Sequence, residues 1–443
     1  MMQTPLAKFW VFFYLSLLFF GCQSSETAET VEELAPSQYV DSANLIYQIL
    51  AERENPILDS VINHPENFEL QIFYTQIDRD SANQPSFTSH YYGIDTNNYF
   101  YPASTVKMPA AFLALEKLNE LEVDGLTKYS TMLTDSASDG QTRVTEDTTS
   151  ESGMPSVAHY IKKIFLVSDN DAFNRLYEFL GQEYLNDQLH EKGYDQLHII
   201  HRLAIFNTPE QNRRTNPVSF YNNANILYQQ DLTESSRDFR VQTQNLRKGV
   251  GFMRNDSLIN EPKDFSQNNF IAARTLQDML KAVIFPDAVP EGQQFNLTED
   301  DYQFLYRYMS QLPSETTFPN YVADTTEDYY DSYVKFFLFG DTKESLPKNI
   351  RIFNKIGMAY GYLTDNAYVV DFESKTEFLL TAVIYVNENQ ILNDGVYEYD
   401  EVGIPFLAEL GRAVFEYELA RERPNLPNLS RYQVTYDKSN EAM

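Results

Sequence analysis

Cysteine is all but absent from this chain: of 443 residues only Cys22 carries a thiol, which excludes an internal disulfide. Positive charge is scarce as well. The 64 acidic residues outnumber 34 basic ones, for a formal net charge of −30, and a surface so short of cations offers no footprint for a phosphate backbone, so nucleic acid is excluded as a partner. The 6 histidines (His64, His90, His159, His190, His198 and His201) include no His-x-x-x-His pair and no neighbouring acidic ligand pattern, so no metal is expected. Glycine-rich phosphate loops are missing too, and no cofactor is called for. No apolar run reaches the roughly 20 residues of a comfortable membrane span. What the chain has in quantity is core material. Its hydrophobic fraction is 43%, with 31 Phe and 31 Tyr, enough to fill a sizeable globular interior.

The N-terminus is the first informative segment. Lys8 supplies a basic start, and Phe9 to Phe20 form an apolar run of about a dozen residues, which suits a secretory signal. The run ends in Phe19-Phe20-Gly21-Cys22, which resembles a bacterial lipobox with a small residue before the cysteine. Residues 1–21 are therefore expected to be a lipoprotein signal peptide, with Cys22 as the lipidation site. That implies an exported protein, anchored to a bacterial membrane and facing the periplasm or the cell exterior. A plain signal peptide with an incidental cysteine is the competing reading. Residues 22–37 are polar and acidic, a disordered tether; residues 38–425 form the folded domain, and the Pro-, Asn- and Ser-containing tail, 426–443, is expected to fray.

Within the domain, strand and helix patterns alternate. Leu45, Ile46, Ile49 and Leu50 make an apolar stripe for a helix over 42–52. Residues 68–77 read as a strand, with 88–93 as its hairpin partner. Residues 104–118 read as a helix in which Pro109 is tolerated near the start. Toward the C-terminus, 367–372 and 377–386 read as strands, and Phe406, Leu410, Ala413 and Tyr417 mark a last helix. Residues 155–345 read as mostly helical with long polar connections. The fold class expected is α/β: an antiparallel sheet from both chain ends, flanked by helices, plus an all-helical lobe over about 126–349. A cleft between lobes is where a pocket belongs.

Three stretches carry chemistry. Ser104-Thr105-Val106-Lys107 opens a helix, and a spacing of three puts the hydroxyl and the amine on one face. A serine needs a base to become a nucleophile, and a lysine serves if its surroundings lower its pKa. Ser168-Asp169-Asn170, followed by Ala172 and Asn174, is the second; Lys355-Ile356-Gly357, before a strand-like run, is the third. In this order, with the second serine about 60 residues after the first, the three resemble the signature of the penicillin-recognising enzymes, class A β-lactamases and penicillin-binding proteins. Thr364-Asp365-Asn366-Ala367 falls where such enzymes carry a short return into the next strand. The resemblance covers about residues 40–420 and implies a β-lactamase/transpeptidase-like fold. It further implies Ser104 as nucleophile, Lys107 as its base, and Ser168 as proton relay. Asn170 would bind the substrate's side-chain amide, and Lys355 its carboxylate. The backbone N–H groups of Ser104 and Met358 would form the oxyanion hole, and Gly357 would let the strand pass close to the substrate. Asp169 and Asn174 would be structural.

The pattern also departs from that family. Class A β-lactamases carry a loop of the form Arg-x-Glu-x-x-x-Asn. Here Arg202 fits the first position, Ala204 replaces the glutamate, Asn207 falls one residue short, and Glu210 comes too late, before Thr215-Asn216-Pro217. Alanine cannot activate the deacylating water. Ile356 stands where a hydroxyl residue helps bind the carboxylate. The stretch from Pro217 to Lys355 is longer than usual, with extra material at about 222–268 and 313–345, including Tyr321, Tyr329, Tyr330 and Tyr333; the helices at 272–283 and 298–309 resemble family helices. The extra segments either wall the cleft, dock a partner or decorate the surface. The function expected is a serine hydrolase acting through an acyl-enzyme on amide or ester carbonyls, with β-lactam hydrolysis possible but slow. A D-Ala-D-Ala carboxypeptidase, transpeptidase or esterase is the alternative, and a non-catalytic cell-wall-binding lipoprotein a third. The partner expected is a small molecule or a peptidoglycan peptide.

Overall fold

The computed structural model describes residues 44–137, 142–321 and 329–440; the signal segment, Cys22 and the tether lie outside them. Both chain ends build one five-stranded sheet. Its strands are β1 (Gln71–Arg79), β2 (Pro85–Tyr92), β3 (Ile350–Ala359), β4 (Tyr362–Asp371) and β5 (Thr376–Tyr385), in spatial order β3-β4-β5-β1-β2. Every pairing is antiparallel.

Side chains alternate across a strand, and here both faces are covered. On β5, Phe378, Leu380, Ala382 and Ile384 enter the apolar cluster beneath helices α1 (Leu45–Ala51), α2 (Pro56–Ile62) and the last helix, whereas Leu379 and Val383 enter the cluster of the helical lobe. That two-sided burial explains why β5 reads as a continuous apolar run rather than an alternating one. Asn44 and Asn55 cap α1 and α2 through their side-chain oxygens, as short polar side chains do at helix starts.

The lobe is built on α3 (Lys107–Glu120), α4 (Val157–Val167), α5 (Asn170–Leu180), α6 (Gln182–Glu191), α7 (Ala273–Ile284) and α8 (Glu299–Ser310). Helix α3 is buried around almost its whole circumference, the mark of a helix inside a core. Thr298 and Asp301 form a reciprocal capping box that starts α8. The last helix, α9, spans Ile404–Ala420.

Four expectations need correction. Much of the lobe between α6 and α7 is not helical. Thr131–Thr134, Val218–Asn222 and Asn225–Gln230 form a small sheet, and Gly251–Arg254 pairs with Ser257–Ile259. The second hairpin turns at Asn255 and Asp256, both at positive φ, as a tight turn between twisted strands requires. The segment Thr364–Ala367 lies inside β4; the return from β3 is made by Tyr360 and Gly361 at φ 55° and 85°. The tail does not fray over its described part: Leu429 and Tyr432 are buried, and Asp437 pairs with Lys162 and Arg307. The second extra segment is partly core, since Val334, Phe336, Phe337 and Leu338 pack beneath α9. Among the described residues no helix is long and apolar enough to cross a membrane.

Candidate active site

Ser104 sits in a single 3₁₀ turn (Ala103–Val106) that runs into α3, so Lys107 follows one turn later. Strand β3 presses against this turn. A Cβ on Gly357 would lie 2.6 Å from the Pro102 carbonyl and 3.1 Å from Thr105, so only glycine allows the approach. Its hydrogen side therefore faces the nucleophile's turn, where a close approach to substrate was expected.

Ser168 closes α4 in the left-handed conformation, φ 58° and ψ 38°, and Ala103 takes φ 46°. Neither residue is glycine, and each such conformation costs on the order of 1–3 kcal/mol. Both serines of the site are thus set next to, or on, strained backbone. Asp169 then caps α5 by accepting from Ala172 N–H, which fixes Asn170 in its first turn.

These segments converge. Lys107 Nζ lies 2.8 Å from Ser104 Oγ, 3.3 Å from Ser168 Oγ and 2.7 Å from Asn170 Oδ1, and it also donates to the Ser168 carbonyl. Lys355 Nζ donates to Ser168 Oγ at 2.8 Å and to the Ile356 carbonyl at 2.9 Å. Both lysines are buried. Burial lowers Lys107 to about 7 against a partial opposing pull from Asp169. Lys355 is pushed well down, by burial first and by the charge of Lys107 second. Ser104, Lys107, Ser168, Asn170 and Lys355 therefore form one cluster. Met358 is 44% exposed on β3 beside it.

Ile356 points the other way, into the apolar cluster beneath α9 with Phe336 and Leu363, so packing occupies the place expected for a hydroxyl. In the loop after α6, Ala204 is exposed at φ 56°, and Glu210 is exposed at the start of a short helix (Pro209–Arg213). Neither brings a carboxylate to the cluster. Asn174 ties this loop down through Leu203 in both directions, each bond 2.9 Å, the structural role expected of it. Asp169 also has its expected capping role.

Two supporting groups were missed. Glu178 grips Arg202 with both oxygens, at 2.7 and 2.9 Å, and accepts Asn216 N–H at 2.6 Å. Asn170, Asn174 and Glu178 recur every four residues along α5, a polar stripe on one helical face that was legible. Behind β3, Lys335 donates to Asn354 Oδ1 at 2.6 Å, and Asn354 donates to Asp365 at 2.8 Å. Burial holds Lys335 below the usual lysine range and Asp365 above the usual carboxylate range, each partly offset by the other's charge. Among the described residues no His, Cys, Asp and Glu side chains group as a metal site.

A half-buried serine paired with a buried lysine, and bridged by a second serine to a second lysine between an antiparallel sheet and a helical lobe, defines the penicillin-recognising serine hydrolases as the class. The chain belongs to the β-lactamase enzyme family, whose family model matches residues 57–417. Similar solved structures include a β-lactamase from Desulfarculus baarsii (15% identity, TM-score 0.44, covering 86% of this chain and 100% of that one). A class A β-lactamase from Clostridium kluyveri is 13% identical, with TM-score 0.44 and coverage of 81% and 97%. The protein PBP-A is 15% identical, with TM-score 0.41 and coverage of 84% and 93%. No curated protein matches the sequence.

Proposed function

We propose that this protein is an acyl-enzyme-forming serine hydrolase of the class A β-lactamase type, which takes β-lactams and related amide or ester carbonyls and releases them slowly. The observation that carries the reading is the buried amine of Lys107, 2.8 Å from Ser104 Oγ and lowered to about 7. A neutral amine has two N–H donors and one lone pair. The Ser168 carbonyl and Asn170 Oδ1 take the two donors, which leaves the lone pair for the Ser104 hydroxyl.

In this mechanism Ser104 Oγ adds to the substrate carbonyl as its proton passes to Lys107. Backbone N–H groups of Ser104 and Met358 receive the oxyanion, a contribution of about 3–4 kcal/mol per donor. Ser168, held by Lys355 at 2.8 Å and 3.3 Å from Lys107 Nζ, hands its proton to the leaving nitrogen as the C–N bond breaks and takes back from Lys107 the proton that came from Ser104. Lys355 makes two hydrogen bonds within the protein; a substrate carboxylate beside it would favour the protonated amine, whose third N–H is then free to donate to that carboxylate. Asn170 would hold the substrate's side-chain amide.

The same site supports a second reading, a D-Ala-D-Ala carboxypeptidase, transpeptidase or esterase acting on peptidoglycan peptides. The exposed Ala204 favours it, since no general base stands where the deacylating water needs one. Incubation with a fluorescent penicillin and a chromogenic cephalosporin tests both. Wild type should be labelled and Ser104→Ala should not; rapid turnover supports a working β-lactamase, and stable labelling supports the peptidase reading. Absence of label, with Ser104→Ala matching wild type on every ester tried, would sink both.

Export and anchoring through Cys22 belong to the same proposal. Cys22→Ser expressed in a bacterial host should shift the protein from the membrane pellet to the soluble fraction; a variant that pellets like wild type refutes lipidation.

A further inference from the structure

A cavity of about 630 Å³ abuts the segments that carry the catalytic groups, yet contains none of those groups. Tyr101, three residues before the nucleophile, and Tyr360, two residues after Met358, form one wall, their rings edge to face at 5.1 Å. The loop after Arg202 and the extra segment near 222–268 supply the rest. The 222–268 part of this wall is where the chain is longer than the pattern it otherwise resembles.

The lining is cationic in a molecule of net charge −30. Arg202, Arg213, Arg237, Arg240 and Lys263 line it against a single lining carboxylate, Asp238; Arg202 is already paired with Glu178 behind the wall. Internal pairing cancels part of this charge. Arg237 is bound to Asp187 and Arg240 to Asp238. Two cations remain. Arg213 donates to the Arg237 carbonyl, at 2.9 Å, and makes no contact ion pair among the described residues, although its charge reaches Asp238 and Glu210. The Lys263 side chain makes no ion-pair contact and no hydrogen bond among the described residues, and the carboxylate that acts on it, Asp264, does so from beyond contact distance. Its amine lies over Phe252, Phe265 and Tyr360, at 5.4, 5.4 and 5.3 Å from the ring centroids. Burial, with the charge of Arg254 adding to it and Asp264 opposing in part, lowers its pKa. A partly desolvated ammonium beside like charge is stabilised by any anion that reaches it.

The geometry points to a binding site for an oxyanion, a carboxylate or phosphate group, with Lys263 and Arg213 as its counter-charges and the aromatic wall holding the ligand beside the catalytic cluster. The site is separate from the acylation machinery, so its occupancy is read by binding alone.

Calorimetric titration of the full chain with N-acetyl-D-glutamate and with glycerol 3-phosphate, each against its neutral counterpart (N-acetyl-D-glutamine, glycerol), tests it. One charged probe should bind at least about tenfold tighter than its neutral counterpart, and the winner tells carboxylate from phosphate. Lys263→Met and Arg213→Gln should each erase most of that preference, while Lys263→Arg keeps it. Retained penicillin labelling shows that the variants are folded, and Lys263→Arg decides the matter if one is not. Equal affinity for charged and neutral probes, or Lys263→Met binding like wild type, overturns the proposal.

Discussion

A Lys107→Met variant is expected to acylate about 10²–10⁴-fold more slowly than wild type, the usual contribution of a positioned general base. Methionine keeps the apolar stem that packs inside α3 and removes only the amine. The wild-type rate should also follow that amine's proton. Lys107 must be neutral to accept from Ser104, and burial brings it to about 7. The rate therefore climbs as pH rises toward 7, levels above it, and falls about tenfold for each unit below it. Time courses of fluorescent-penicillin labelling across the neutral range read both effects. Methionine at wild-type speed, or a rate that rises as pH falls from 8 to about 6, removes Lys107 from the role of base.

The second large effect concerns stability. Glu178→Ala should destabilise the protein by about 3–5 kcal/mol, the cost of stranding one half of a buried ion pair. Arg202 is 4% exposed and would lose its only carboxylate partner among the described residues, while Asn216 N–H loses its acceptor. Arg202 also donates to the Arg214 carbonyl at 2.6 Å, so the whole loop carrying Ala204 depends on this pair. Urea denaturation followed by tyrosine fluorescence measures the loss. A midpoint unchanged from wild type would show that the pair is dispensable.

The catalytic cluster was legible in the sequence because its parts are local. Ser104 and Lys107 are one turn apart, and Ser168 and Asn170 flank a helix start, so short spacings carry the geometry. The large strands and helices were legible for the same reason, through periodic apolar positions such as those of α9. What escaped was set by distant partners. Strands such as Lys263–Asp264 and Arg247–Lys248 hold two residues each, too short for any period to register. Tyr432 looked like part of a loose polar tail, but its hydroxyl reaches the Ile284 carbonyl and its ring meets Phe285, Tyr306 and Tyr368. The polar chain of Lys335, Asn354 and Asp365 links three segments that nothing in the linear order joins. Ile356 misled as a missing hydroxyl because its side chain faces the opposite side of the sheet from Lys355.

The pairing of β1 with β5 has a consequence for how the molecule comes into being. Ile72 meets Ala382 across that junction, so the earliest strand made has its neighbour on one side only after most of the chain exists. A growing polypeptide can close the β1–β2 hairpin early but must leave the other edge of β1 bare, and contacts so far apart in order are slow to form. Until the C-terminal strands arrive, β1 exposes an unfinished edge.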